Sequence, residues 1–269
     1  MKIINTTILS IEFKRNLIST AIWAASIILY IALIVFMFPF FKETMTEMMD
    51  AFEAIPGLNE IFGMDSLPIT ELIGFYGLEA SVIILLAGAI YSGILGSKAL
   101  AKEEKEEKIE FLATTPVNRK QIYITKLLMV ISSIIILNVI ITLFSTLFLV
   151  IVDPGIEIGK VLLFHSVITI MHLQIGLMSL ALSIMFKKPS TGVGAILALG
   201  LYLFYTVLGI MDNAVLNFLE YFIPFSYADP VSVLGETIDL NFIALAIGGV
   251  ITSLLIFVSY QKYKIKDLL

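Results

Sequence analysis

LISTAIWAASIILYIALIVFMFPFF, residues 17–41, decides the fold: 25 consecutive positions without one charged side chain. Coiled as a helix at 1.5 Å per residue, the run measures about 37 Å, enough to cross a hydrocarbon core of about 30 Å. Helices satisfy their backbone groups internally, as lipid demands. Working outward, five further runs have the same character: residues 72–97, 127–152, 161–186, 191–211 and 242–260. The second is free of charge from Ser81 to Ser97 and reaches back to Leu72 only by admitting Glu79. The expected fold class is an all-α membrane protein with six transmembrane helices, a single transmembrane domain over residues 1–269.

Composition agrees. The chain is 59% hydrophobic and 14% charged, with a mean hydropathy of +1.00. A soluble domain carries about 25% charged residues, and disorder needs low hydrophobicity. Zero cysteines exclude thiolate metal sites, cysteine nucleophiles and disulfides. No cleavable signal peptide is expected, because the first apolar run is longer than an h-region.

The net charge of −5 hides a strong asymmetry. Lys2, Lys14 and Arg15 precede the first span. Lys98, Lys102, Lys105, Lys108, Arg119, Lys120 and Lys126 fall between the second and third. Lys187 and Lys188 follow the fourth, and Lys262, Lys264 and Lys266 end the chain. Only Lys42 and Lys160, of 17 basic residues, fall on the other side. Basic short loops stay cytoplasmic, so both termini are expected there. The acids gather mostly opposite, in segments 42–71, 153–160 and 212–239, where they create a negative field.

Three segments are more than plain loops. Residues 2–16 place Ile4, Ile8 and Ile11 at helical spacing and read as an interfacial elbow helix. Met45, Met48, Met49, Phe52 and Ile55 repeat at three- and four-residue intervals, predicting an outer helix that Pro56-Gly57 stops. Segment 212–239 is too apolar for a loop and predicts two short re-entrant helices broken at Pro224 and Pro230. Glu220 within it is a candidate gate or pathway residue.

The one large cytoplasmic loop, residues 98–126, contains KEEKEEKIEFLATTPVNRKQI over 102–122. A charged helix continues span two, with Glu and Lys three or four apart. Ile109, Phe111 and Leu112 then form an apolar knob. Thr115 and Pro116 read as N-cap and first position of the next helix. An exposed apolar knob on a charged helix suggests docking onto a cytosolic partner.

On these residues the chain resembles the ABC-2 family of ABC transporter permeases. That family carries a pattern like G-T-L-E-x-L-L-x-T-P-x-S-R between its second and third spans. Ile109, Glu110, Leu112, Thr115, Pro116 and Arg119 match it; Glu107, Lys108 and Asn118 depart from it. The elbow, six spans and short helices before the last span are similar too. The resemblance implies a coupling helix from about Lys102 to Thr114, with Glu103, Glu106, Glu107, Glu110, Phe111 and Leu112 contacting a separate ABC ATPase subunit. It also implies two ATPase copies and a second permease copy, a homodimer by default. ATP and Mg are then expected on the partner subunit and no cofactor in this chain, which lacks G-x-x-x-x-G-K-[ST]. Within the family, the short spans and small outer loops are most similar to exporters of amphipathic peptides, including phenol-soluble-modulin exporters and lantibiotic-immunity permeases.

Ionisable groups inside a membrane are functional candidates by default. Glu79 is one. His165 and His172, seven apart on span four, are two more; a metal site there lacks a carboxylate at ligand spacing. Small residues at four-residue spacing (Ala89, Gly93, Ser97; Ser92, Gly96; Ala244, Gly248) permit close helix packing within a bundle or between copies. The function reading is a permease subunit of an ATP-driven exporter in the cell membrane. An intramembrane metalloenzyme using Glu79, His165 and His172 and a non-transporting scaffold or sensor are the alternatives.

Overall fold

Charge-free runs with no partner for their backbone but their own next turn fold as helices. The computed structural model describes residues 4–53, 67–105, 118–185, 192–211 and 218–265, and among these there are helices and no strand. Helix α1 is Thr6–Glu53. Helix α2 (Leu72–Phe75) runs through a π-helical turn (Tyr76–Ala80) into α3 (Ser81–Lys105). Then come α4 (Arg119–Val152), α5 (Ile158–Met185), α6 (Val193–Ile210), a 3₁₀ turn (Ser226–Ala228), α7 (Pro230–Leu234) and α8 (Phe242–Ile265). Six of the helical stretches are long and apolar enough to cross a membrane.

Helix α1 differs from expectation. Among the described residues no break separates an elbow from the first span; residues 6–16 are the opening turns of a 48-residue helix, about 72 Å long. Asn5 Oδ1 accepts from the Thr7 and Ile8 N–H groups, each at 3.1 Å, and starts the helix. No glycine or proline interrupts it before the apolar run, so nothing breaks it there. At the far end the methionine-rich pattern from Met45 continues the same helix past Pro39 instead of forming its own.

The start of α4 differs too. Its N-cap is Asn118, whose Oδ1 accepts from Lys120 N–H at 3.0 Å, while Gln121 Oε1 accepts from Asn118 N–H at 3.2 Å. This reciprocal box satisfies two orphan donors, and an amide does here what a hydroxyl does in the commoner version. Thr115 and Pro116, expected as cap and first turn, lie outside the described residues.

Helix α5 is the axis of the bundle, packing against α3, α4, α6 and α8. Of its most apolar window 72% is buried inside the chain, against 17% for α6 and 22% for α8. Glycines set the closest approaches. Gly93 of α3 meets the Gly194 backbone of α6, and Gly96 meets the Gly176 backbone of α5. A side chain at Gly93, Gly96 or Gly194 would collide with the neighbouring main chain, so the small-residue pattern closes the chain on itself.

Polar contacts define two ends. Asn5 N–H donates to Thr125 Oγ1 (3.1 Å), Arg119 to the Lys264 carbonyl (3.2 Å) and Lys262 to the Met185 carbonyl (2.8 Å). These gather the start of α1, the start of α4 and the C-termini of α5 and α8 at one end, the basic end. At the other, acidic end, Lys160 at the start of α5 donates to the Gly235 carbonyl beyond α7 (3.0 Å). Tyr205 of α6 donates to Asp229 there (2.8 Å). An even number of crossings returns the chain to the end where it began.

Candidate functional site

The π-helical turn carries one extra residue's worth of backbone, and such turns recur at functional positions. Here it turns the wholly buried Tyr76 onto α5, where its hydroxyl lies 2.8 Å from His165 Nε2. Glu79, three residues on, is only half-buried. It lines a cavity of about 310 Å³ with Leu33, Ile34, Met37 and Phe41 of α1 and with Phe75. Because the helix starts at Leu72, Glu79 stands two turns inside it.

His172 lies two turns further along α5 than His165 and is also wholly buried. Its Nδ1 is 2.9 Å from Asn138 Oδ1 of α4, and its Nε2 is 3.1 Å from the Leu85 carbonyl of α3. Asn138 Nδ2 donates to the Ile134 carbonyl at 2.9 Å, which turns its oxygen to the ring. A neutral imidazole can donate to only one of two such acceptors; a protonated one donates to both. Gly88 of α3 faces the ring and has no room for a side chain. His172 thus ties three helices together at one level.

Two residues on, Gln174 ties α5 to the segment before α7 and to α8. Its Oε1 accepts from the Tyr227 hydroxyl at 2.8 Å, and its Nε2 reaches the Leu245 carbonyl of α8 at 3.4 Å. Burial pushes the Tyr227 hydroxyl well above the usual tyrosine range, so it stays a proton donor. Gly248 of α8 leaves the space that the Gln174 amide occupies.

A cavity of about 630 Å³ lies at the acidic end, between α6, α7 and the start of α8. Tyr205, Glu220, Asp229 and Asp239 give it polar walls; Phe242 and Ile243 give it apolar ones. Asp229 is the N-cap of α7, accepting from Ser232 N–H and Ser232 Oγ at 3.1 Å each, and Pro230 follows at the first helical position. Ser226 Oγ donates to the Glu220 carbonyl at 2.7 Å and fixes the turn that carries Glu220.

The sequence candidates therefore separate. Glu79 and Glu220 line two different cavities, while His165 and His172 are hydrogen-bonded in the core. Glu103 lies in the last turns of α3. Glu106, Glu107, Glu110, Phe111 and Leu112 lie outside the described residues. Among the described residues no three His, Asp or Glu side chains are grouped to hold a metal ion. Sequence reasoning passed over Tyr76, Tyr205 and Tyr227, noted Gln174 only as a polar neighbour of the two histidines, and counted Asp229 and Asp239 only among the outer acids. Only Asp229 carried a local signal, the Asp-Pro pair that opens a helix.

A family model described as ABC-2 family transporter protein matches residues 6–268, nearly the whole chain. No curated protein matches it. The chain belongs to the ABC-2 transporter family, whose members are the membrane components of ABC transporters, and membership implies association with ABC ATPase components.

Proposed function

From that membership, we propose that the chain is the permease subunit of an ATP-driven exporter, with amphipathic, partly cationic peptide as its cargo. The family match over residues 6–268 carries the permease reading. Two copies form the pathway, each paired with a separate ATPase that binds ATP and Mg. The basic end faces the cytoplasm, in keeping with the distribution of Lys and Arg. The stretch from about Lys102 to Thr114 contains the coupling helix, with Phe111 as its apolar anchor.

The cargo class draws its support from the acidic-end cavity. Three carboxylates beside Phe242 and Ile243 offer charge for Lys or Arg side chains and apolar wall for the other face of an amphipathic helix. Glu79, in its apolar cavity, repeats that chemistry on a smaller scale.

The test is reconstitution of the permease with its ATPase in liposomes. A cationic amphipathic peptide should stimulate ATP hydrolysis, and Glu220→Gln should weaken the stimulation. Intact basal hydrolysis with no response to such peptides would overturn the cargo reading. Phe111→Ala should loosen the ATPase or uncouple it; an unchanged complex with unchanged transport would overturn the coupling assignment.

A further inference from the structure

At the basic end, α1, α3 and α4 enclose a small cleft of about 70 Å³. A single water needs only roughly 10–15 Å³ on the same kind of measure, so a group of several atoms fits. Glu12, Arg15, Asn16, Ser19 and Lys98 line it, with Met129 at its back.

The charges do not cancel. Glu12 is bound on both oxygens, by Lys126 Nζ at 3.0 Å and by Arg15 NH2 at 2.8 Å. Lys126 is wholly buried and pairs with Glu12 from outside the cleft lining. Among the described residues lining the cleft, one carboxylate, Glu12, stands beside two cations, Arg15 and Lys98. The rest of the Arg15 guanidinium, with its fork of five donors, remains to be used. Lys98 is half-buried and has neither hydrogen bond nor ion pair among the described residues. The Ser19 hydroxyl is in the same position.

The cleft opens beside an apolar stripe. Ile11, Arg15, Ile18, Ile22 and Leu29 fall at intervals of four, three, four and seven, one face of α1. The four apolar members are 58%, 72%, 61% and 71% exposed, and Arg15 sits among them. A cation followed along the helix by the exposed apolar run Ile18, Ile22 and Leu29 matches a ligand with an anionic head and a hydrocarbon tail. Arginine and lysine together suit phosphate, the first by bidentate donation and the second as a point charge.

We propose that this cleft binds the phosphate of an anionic phospholipid headgroup, with an acyl chain lying along Ile18, Ile22 and Leu29. Basic pockets between membrane helices bind such headgroups elsewhere. The site is independent of the cargo and of its cavity at the acidic end. Bound there, the lipid would join α1 to α3 and α4 at the level where the chain enters the bilayer.

Delipidated full-length chain in neutral detergent tests this by native mass spectrometry. Titration with phosphatidylglycerol should give one tightly bound lipid, and phosphatidylcholine should not. Lys98→Gln, which leaves the Glu12 contacts intact, should weaken phosphatidylglycerol about fivefold, and Arg15→Gln with Lys98→Gln roughly thirtyfold. Affinity unchanged in Lys98→Gln would overturn the proposal, as would equal binding of the two lipids. Millimolar inorganic phosphate that raises the melting temperature through Lys98, with no phosphatidylglycerol bound, would overturn the lipid source.

Discussion

Helices α5 and α6 are almost equally apolar, with mean hydropathies of 1.9 and 2.1 in their spanning windows, yet 72% of one window is buried and 17% of the other. Apolarity sends both into a bilayer. It does not separate interior from periphery, because lipid tails are as apolar as leucine. What separates them is the rest of their composition. Helix α5 carries His165, His172, Gln174, Ser179 and Ser183, all buried. Helix α6 shows Ile196, Leu203, Val207 and Ile210 outward, each about half exposed or more. Polar side chains in hydrocarbon need partners, so they draw their helix inward.

The largest effect that sharpens this contrast is expected where α6 does touch the interior. Gly194→Leu forces a side chain into the Gly93 main chain, which cannot yield as a flexible side chain would. A loss of about 3 kcal/mol or more is expected, read as a collapse of the folded fraction in detergent unfolding. A normal melting profile would show that the α3–α6 contact is not structural.

His172→Leu comes next. It leaves the Leu85 carbonyl and Asn138 Oδ1 without the ring and overfills the slot beside Gly88. About 1–2 kcal/mol of destabilisation is expected on the same unfolding curve. No change would mean that polarity is not what holds α5 at the centre.

Tyr227→Phe removes one hydrogen bond to Gln174 and keeps the ring. Interhelical bonds of this kind average about 0.6 kcal/mol, so a shift of one or two degrees in melting temperature is expected. Ile196→Ala, on the outward face of α6, should change stability by less than about 0.5 kcal/mol. If it also weakened association between two copies, by crosslinking yield, α6 would be peripheral in the chain and interior in the dimer.

Much of the architecture was legible from the residues. Runs such as residues 17–41 announced the spans, and six helices long enough to cross follow from them. The join between elbow and span was not legible, because an amphipathic start and an apolar continuation look like two helices when nothing marks the break's absence. The start of α4 is a competition between two local patterns: Thr115-Pro116 reads as a cap and first turn, but the Asn118-x-x-Gln121 box three residues later is the one the helix uses.

The candidate site was legible by type and not by grouping. Glu79 and Glu220 stood out as acids in apolar surroundings, and the structure gives each a cavity. His165 and His172 stood out equally, yet Tyr76 and Asn138 hold them in packing. Those partners lie 89 and 34 residues away in sequence, beyond any local pattern.

By itself the sequence determined the solvent, the number of crossings and the polarity of charge, since apolar length and the Lys/Arg count of short loops are summed locally, segment by segment. Tertiary structure alone decided that α5 is the axis, that the glycines close the chain on itself, and that Arg15 and Lys98 border one cleft. Those outcomes depend on which helix faces come together, and a helix face acquires an inside only when its neighbours are in place.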